Sequence, residues 1–263
     1  MRIVVKVGTS TLAHPTGLIN IRQVERLCKV IADLKNAGHQ MILVSSGAIG
    51  MGSGKLGLKQ RPDDVAGKQA AAAVGQCELM YTYDRLFLKY SHVVAQLLLT
   101  ADDFSHPDRR ANLEQALFRL LEMGALPVVN ENDTIATEEI RVGDNDTLSA
   151  LVAAAARADL LVLLSDIEGL YTADPRTDPD ARLVHVVPAL TDEVFAMAGG
   201  SGSAFGTGGM ATKLHAARIA TEAGIDMVIT DGRRAEALYD VAEGKPAGTR
   251  FLAAKGCGGP AAP

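Results

Sequence analysis

The sequence predicts a three-layer αβα sandwich around a mostly parallel sheet. Short β-branched or leucine-rich runs alternate with helical hydrophobic patterns along the chain, and several of the runs empty into loops rich in Gly, Ser, Asn and Asp. Regular strand–helix alternation favours parallel strands with helices on both faces, because each crossover carries a helix back over the sheet.

Residues 3–7 read as a β-branched strand ending in the phosphate-sized turn Gly8-Thr9-Ser10. A helix follows, with Asn20 as its cap and Ile21, Val24, Leu27, Cys28, Ile31 and Leu34 at helical spacing until Gly38 stops the pattern. Residues 41–44 form a second strand that opens into the glycine-rich loop 45–50. A long Ala-rich helix covers about 64–90, and then come a strand over 93–99, a helix over 109–123 and a strand ending in Val128-Val129-Asn130. Residues 137–142 fit one arm of a hairpin, 147–156 a helix and 160–164 a buried strand. The pattern closes with a helix over 210–223, the Gly224 stop and a strand over 225–229. No Pro- or Ser-rich linker divides the chain, so residues 1–253 read as one domain and 254–263 as a flexible tail.

Composition narrows the function. At 263 residues and 48% hydrophobic content the chain can bury a substantial core. A net charge of −5, 4% aromatic residues and the lack of a Lys/Arg run argue against a nucleic-acid surface. There is no apolar stretch of about 18 residues, so neither a membrane span nor a secretion leader is expected. Cys28, Cys77 and Cys257 form an odd set without CxxC spacing. That fits neither a disulfide framework nor a zinc knuckle, and a reducing cytoplasm is the expected location.

The densest chemistry lies in Asn130-Glu131-Asn132-Asp133 and Gly143-Asp144-Asn145-Asp146, seven carboxylate or carboxamide side chains on two short loops. Asx-capped turns explain one such cluster. Two of them, the first at the C-terminal end of a buried strand, point to a ligand site, where open α/β sheets bind. Mixed donors and acceptors suit an amino acid, which carries both an ammonium and a carboxylate.

Lys6 interrupts the apolar run Ile3-Val4-Val5 and Val7, where a lysine needs an anionic partner or an edge-strand position. The Gly8 turn beside it favours an anion. Gly206-Thr207-Gly208-Gly209 precedes Met210-Ala211-Thr212-Lys213 and a helix. Backbone N–H groups, the helix dipole and Lys213 together favour a phosphate there, whereas a lysine in a first helical turn with no anion to meet is poorly placed. Two lysines on separate loops match the charge that spreads over a transferring phosphoryl group. Gly52-Ser53-Gly54-Lys55-Leu56-Gly57 spells GxGxxG but does not follow its strand directly, so it reads as a flexible surface loop and not as a dinucleotide fingerprint; a Walker A loop is absent.

With these segments in hand, together with Ser45-Ser46-Gly47-Ala48 and Gly169-Leu170-Tyr171-Thr172-Ala173-Asp174-Pro175, the chain resembles the amino acid kinase family, most closely its branch that phosphorylates glutamate. The matching motifs run in family order over nearly the whole chain. The resemblance implies the carbamate kinase-like fold, an N-terminal part that takes the amino acid and a C-terminal part that takes ATP. It further implies ATP-dependent phosphorylation of the γ-carboxylate of L-glutamate to L-glutamyl 5-phosphate, the first step of proline synthesis. By the same carry-over Lys6 and Lys213 stabilise the transferring group and Asp146 holds both lysines. Ser46, Asp133 and Asn145 contact glutamate, with Asn130 and Asp144 in support. Lys6, Gly8, Ser165, Asp166 and Thr207, Gly208, Gly209, Met210, Ala211, Thr212 and Lys213 attend ATP, which brings Mg2+ as its counter-ion without a dedicated protein ligand. Family habits also imply feedback inhibition by proline and a homo-oligomer, dimer or tetramer. A C-terminal RNA-modification-type domain, common in that branch, has no counterpart here, consistent with a kinase-only form or a truncated sequence.

Two other readings stand beside this one. An acetylglutamate or aspartate kinase shares the fold and lysines, although acidic residues have no cation to meet in acetylglutamate. A catalytically silent amino-acid or nucleotide sensor is the other, and it has little need of two lysines aimed at one group.

Overall fold

Successive side chains of the first strand, β1 (Arg2–Val7), enter different cores. Ile3, Val5 and Val7 join one apolar cluster and Val4 joins another, as period-2 alternation in a doubly covered sheet requires. The computed structural model describes residues 1–14, 16, 18–136, 145–198 and 209–254.

Over these residues the remaining strands are β2 (Gln40–Ser45), β3 (Val94–Leu99), β4 (Leu126–Glu131), β5 (Leu160–Ser165), β6 (Val186–Val187), β7 (Asp226–Asp231) and β8 (Thr249–Phe251). They form one eight-stranded sheet in the order β3-β4-β2-β1-β5-β7-β8-β6. Every pairing is parallel except β7 with β8. The three-layer expectation holds, and β1 lies at the centre, paired to both β2 and β5. Lys6 is therefore not an edge-strand gatekeeper.

The helices are α1 (Thr9–Leu12), α2 (Ile21–Asn36), α3 (Ala48–Lys55), α4 (Val65–Leu88), α5 (Ala101–Ser105), α6 (Pro107–Glu122), α7 (Asn145–Ala155), α8 (Asp192–Met197), α9 (Met210–Glu222) and α10 (Ala237–Ala242). The core containing Ile3, Val5 and Val7 is completed by α2, α4 and α10, and the core containing Val4 by α6, α7 and α9. Asn20 caps α2 by accepting from Gln23 N at 3.2 Å, and Asp64 caps α4 by accepting from Gly67 N at 2.7 Å. Among the described residues no helix is long and apolar enough to cross a membrane.

The GxGxxG segment departs from its expected role. Residues 52–55 belong to α3, with Gly52 and Ser53 buried and Gly52 against α4. A Cβ on Gly52 would stand 1.8 Å from Ala71 O, and one on Gly75 1.8 Å from Ala48 O. These glycines let two helix backbones touch, so the segment is a packing surface and not a mobile loop. Helices α1, α5, α8 and α10 and strands β6 and β8 are too short to show a periodic signal and went unpredicted. The hairpin arm over 137–142 and the tail from residue 255 lie outside the described residues.

Candidate active site

Strands β2 and β5 flank β1 on opposite sides, and the chain leaves them in opposite directions across the sheet. That reversal opens a crevice beyond the C-terminal ends of β1, β2, β4 and β5. A cavity of about 390 Å³ occupies it.

Lys6 is the even-numbered successor of Val4 on β1, so the pleat aims it toward the α7/α9 layer at the strand's C-terminal end. Asp146 in the first turn of α7 and Lys213 in the first turn of α9 come from that layer. Lys6 Nζ lies 2.5 Å from Asp146 Oδ1, and Lys213 Nζ donates to Oδ2 at 3.1 Å. Thr212 Oγ1 adds a longer hydrogen bond to Oδ2 at 3.3 Å. All three charged groups are buried, Asp146 with no exposed surface. Burial alone would raise the Asp146 pKa, but the two ammonium groups outweigh it and hold the carboxyl below the ordinary carboxylate range. The first-turn position adds the favourable end of the α7 dipole. Two positive charges thus reach the cavity with one fixed anion behind them.

At the ends of β2 and β4 the polar groups are neutral and chained. Asn145 Nδ2 donates to Ser45 O at 3.1 Å, Ser46 Oγ at 2.7 Å and Asn130 Oδ1 at 3.1 Å. Asn130 Oδ1 also accepts from Glu131 N at 2.9 Å, and its Nδ2 donates to Gln76 Oε1 on α4 at 2.9 Å. Backbone partners fix both carboxamide orientations, since Ser45 O can only accept and Glu131 N can only donate. Asn145 Oδ1 is consequently left buried with no partner among the described residues. An acceptor in that state matches an incoming ammonium or N–H group. Ser45 Oγ meets the Tyr83 hydroxyl at 2.8 Å, tying the β2 end to the core.

Of the residues expected at the site, Lys6, Gly8, Ser46, Asn130, Asp133, Asn145, Ser165, Asp166 and Lys213 line the cavity. Asp146 stands directly behind Lys6 and Lys213. Gly209, Met210, Ala211 and Thr212 do not line it; they form the cap and first turn of α9 that presents Lys213. Asp144, Thr207 and Gly208 lie outside the described residues. Sequence reasoning missed Gln76, hidden in an Ala-rich helical pattern, and Arg61, which shares a polar surface stretch with Lys59 and nonetheless lines the cavity.

Comparison with known proteins adds independent findings. The family model described as "Amino acid kinase family" matches residues 1–231. A glutamate 5-kinase from Clostridium acetobutylicum is 53% identical over 251 residues, covering 95% of this chain and 94% of that protein. One from Symbiobacterium thermophilum is 54% identical over 250 residues, covering 95% of each. A carbamate kinase from Giardia lamblia, solved bound to AMP-PNP, superposes with a TM-score of 0.66 over 96% of this chain and 98% of that one; at 17% identity it speaks to the fold alone.

Proposed function

Because the chain belongs to the amino acid kinase family and stands with its glutamate 5-kinases, we infer that its cavity performs ATP-dependent phosphorylation of the γ-carboxylate of L-glutamate. The product is L-glutamyl 5-phosphate, and the reaction opens proline biosynthesis. The single observation that carries this reading is the meeting of Lys6 and Lys213, from opposite ends of the chain, on one buried carboxylate at a cavity wall.

A carboxylate acceptor is already nucleophilic at neutral pH, so the protein supplies no general base. Its tasks are alignment and charge neutralisation. The acceptor's γ-carboxylate and the γ-phosphoryl group of ATP meet in front of Lys6 and Lys213, whose ammonium groups offset charge growing on the transferred oxygens. Asp146 holds the two lysines at a common point and stays ionised because of them. The acceptor's ammonium faces Asn145 Oδ1 and Asp133, with Ser46 and Asn130 holding Asn145 in its orientation. ATP extends along the β5 side past Gly8, Ser165 and Asp166 toward the first turn of α9, which carries Lys213. Mg2+ would accompany the nucleotide as its counter-ion and would help to neutralise the phosphate charge, with no dedicated ligand assigned among the described residues. Proline, an amino acid of similar size, competes at the acceptor end, and the protein works as a homo-oligomer.

Coupled ADP release with glutamate, acetylglutamate and aspartate, with and without proline, tests this reading. Turnover confined to glutamate is expected. Equal or faster turnover of acetylglutamate or aspartate would overturn the substrate assignment, and ligand binding without ADP release would favour a sensor.

A further inference from the structure

An α-amino acid with an acidic side chain brings three charged groups into the cavity, and the residues assigned above account for two of them. The side-chain carboxylate faces Lys6 and Lys213, and the ammonium faces Asn145 and Asp133. The α-carboxylate has no partner in that scheme. Of the cations lining the cavity, Lys6 and Lys213 both stand on Asp146, which leaves Arg61.

Arg61 lies in the stretch 56–64 that joins α3 to α4, is exposed, and takes part in none of the ion pairs among the described residues. Its segment is anchored on the acceptor side. Helix α3 starts two residues after Ser46 and packs along α4 through the Gly52 and Gly75 contacts. Near the start of α4, Gln69 Nε2 donates to Ala136 O at 3.5 Å, just beyond the β4 end that carries Asn130 and Asp133. A guanidinium at that place can meet a carboxylate with two parallel hydrogen bonds, which a lysine cannot reproduce.

We propose that Arg61 binds the α-carboxylate of the acceptor and so makes the enzyme selective for an acceptor whose α-carboxylate is free; the proposal rests on the glutamate reading above. The test compares wild type, Arg61→Ala and Arg61→Lys with glutamate and with isoglutamine, which keeps the γ-carboxylate nucleophile and the ammonium but carries a neutral α-carboxamide. Acceptor kinetics run at saturating MgATP, the ATP KM is measured at saturating glutamate, and a thermal melt checks each variant's fold, which an exposed arginine should leave unchanged. Arg61→Ala is expected to raise the glutamate KM about tenfold, the scale of one charged hydrogen bond partly screened by solvent. Its kcat/KM for isoglutamine and its KM for ATP should stay near wild type, so the preference for glutamate falls by the same factor, with Arg61→Lys intermediate. An unchanged glutamate-to-isoglutamine ratio would overturn the proposal, as would a rise confined to the ATP KM, which would assign Arg61 to the phosphates. Wild type that turns over neither compound would overturn the glutamate reading itself, and this assignment with it.

Discussion

Lys213 Nζ donates to Asp146 Oδ2 at 3.1 Å across 67 residues of chain, with both side chains withdrawn from water. The same carboxylate holds Lys6 on its other oxygen. A salt bridge this deep is weak evidence for stability, since desolvation offsets much of its attraction. Its value here is positional: two cations with long side chains are kept at one point beside a cavity.

Lys6→Ala and Lys213→Ala are each expected to lower kcat by roughly 100- to 1000-fold, the size found when one preorganised charge-stabilising group is removed. The ATP KM should move far less. Steady-state kinetics at saturating glutamate decide the matter, and near-normal kcat in either variant would remove that lysine from the transferring group.

Asp146→Asn should cost about 3 kcal/mol of stability near neutral pH, because it leaves two buried ammonium groups without their counter-charge. The sign with pH follows from the depressed carboxyl. Its contribution is fully present above the unfolded-state value of 3.8 and is lost as pH falls through the lower folded-state value. Urea denaturation should show the same gap between variant and wild type at about pH 7 and about pH 5. A gap that closes within that range would contradict the ionised, doubly paired carboxylate.

Turnover should lack an acid limb due to histidine, since a carboxylate acceptor is ionised well below neutrality. A pH profile of kcat between about pH 6 and pH 8 is expected to be flat. A bell centred near neutrality would bring a general base back into the mechanism.

Asp133→Ala is expected to raise the glutamate KM by about tenfold or more, with the ATP KM little changed. Gln76→Leu should act in the same direction more weakly, because it strips Asn130 Nδ2 of its buried partner and loosens the carboxamide chain that orients Asn145. If Gln76→Leu lowers thermal stability and leaves glutamate kinetics untouched, that chain serves packing alone.

Gly75→Ala should destabilise the fold by about 2–4 kcal/mol, since its Cβ would fall on the Ala48 carbonyl and drive α3 off α4. As α3 starts just after Ser46, glutamate affinity should fall as well. A variant with an unchanged melting temperature would show that the two helices do not meet backbone to backbone.

The alternation of strands and long helices was legible because period-2 and period-3.6 spacing are local properties, and Asn20 and Gly38 marked their boundaries for local reasons too. The Asn130–Asp133 cluster and the anomaly of Lys6 could also be seen, since polar chemistry at the end of an apolar run is conspicuous in one dimension. The GxGxxG segment misled for the complementary reason. A glycine that frees a loop and a glycine that admits a neighbouring helix look alike until the neighbour is present, and Gly52 meets Ala71 only in three dimensions.

Sequence alone thus determined the layered α/β plan and the chemical types available for the site. Which lysine meets which acid was settled by the sheet order, which sets β1 between β2 and β5 and brings the first turns of α7 and α9 to the same face as Lys6. The physical reason is range: propensity, capping and hydrophobic period act over a few residues, whereas a buried charge is tolerable only where distant segments converge to neutralise it.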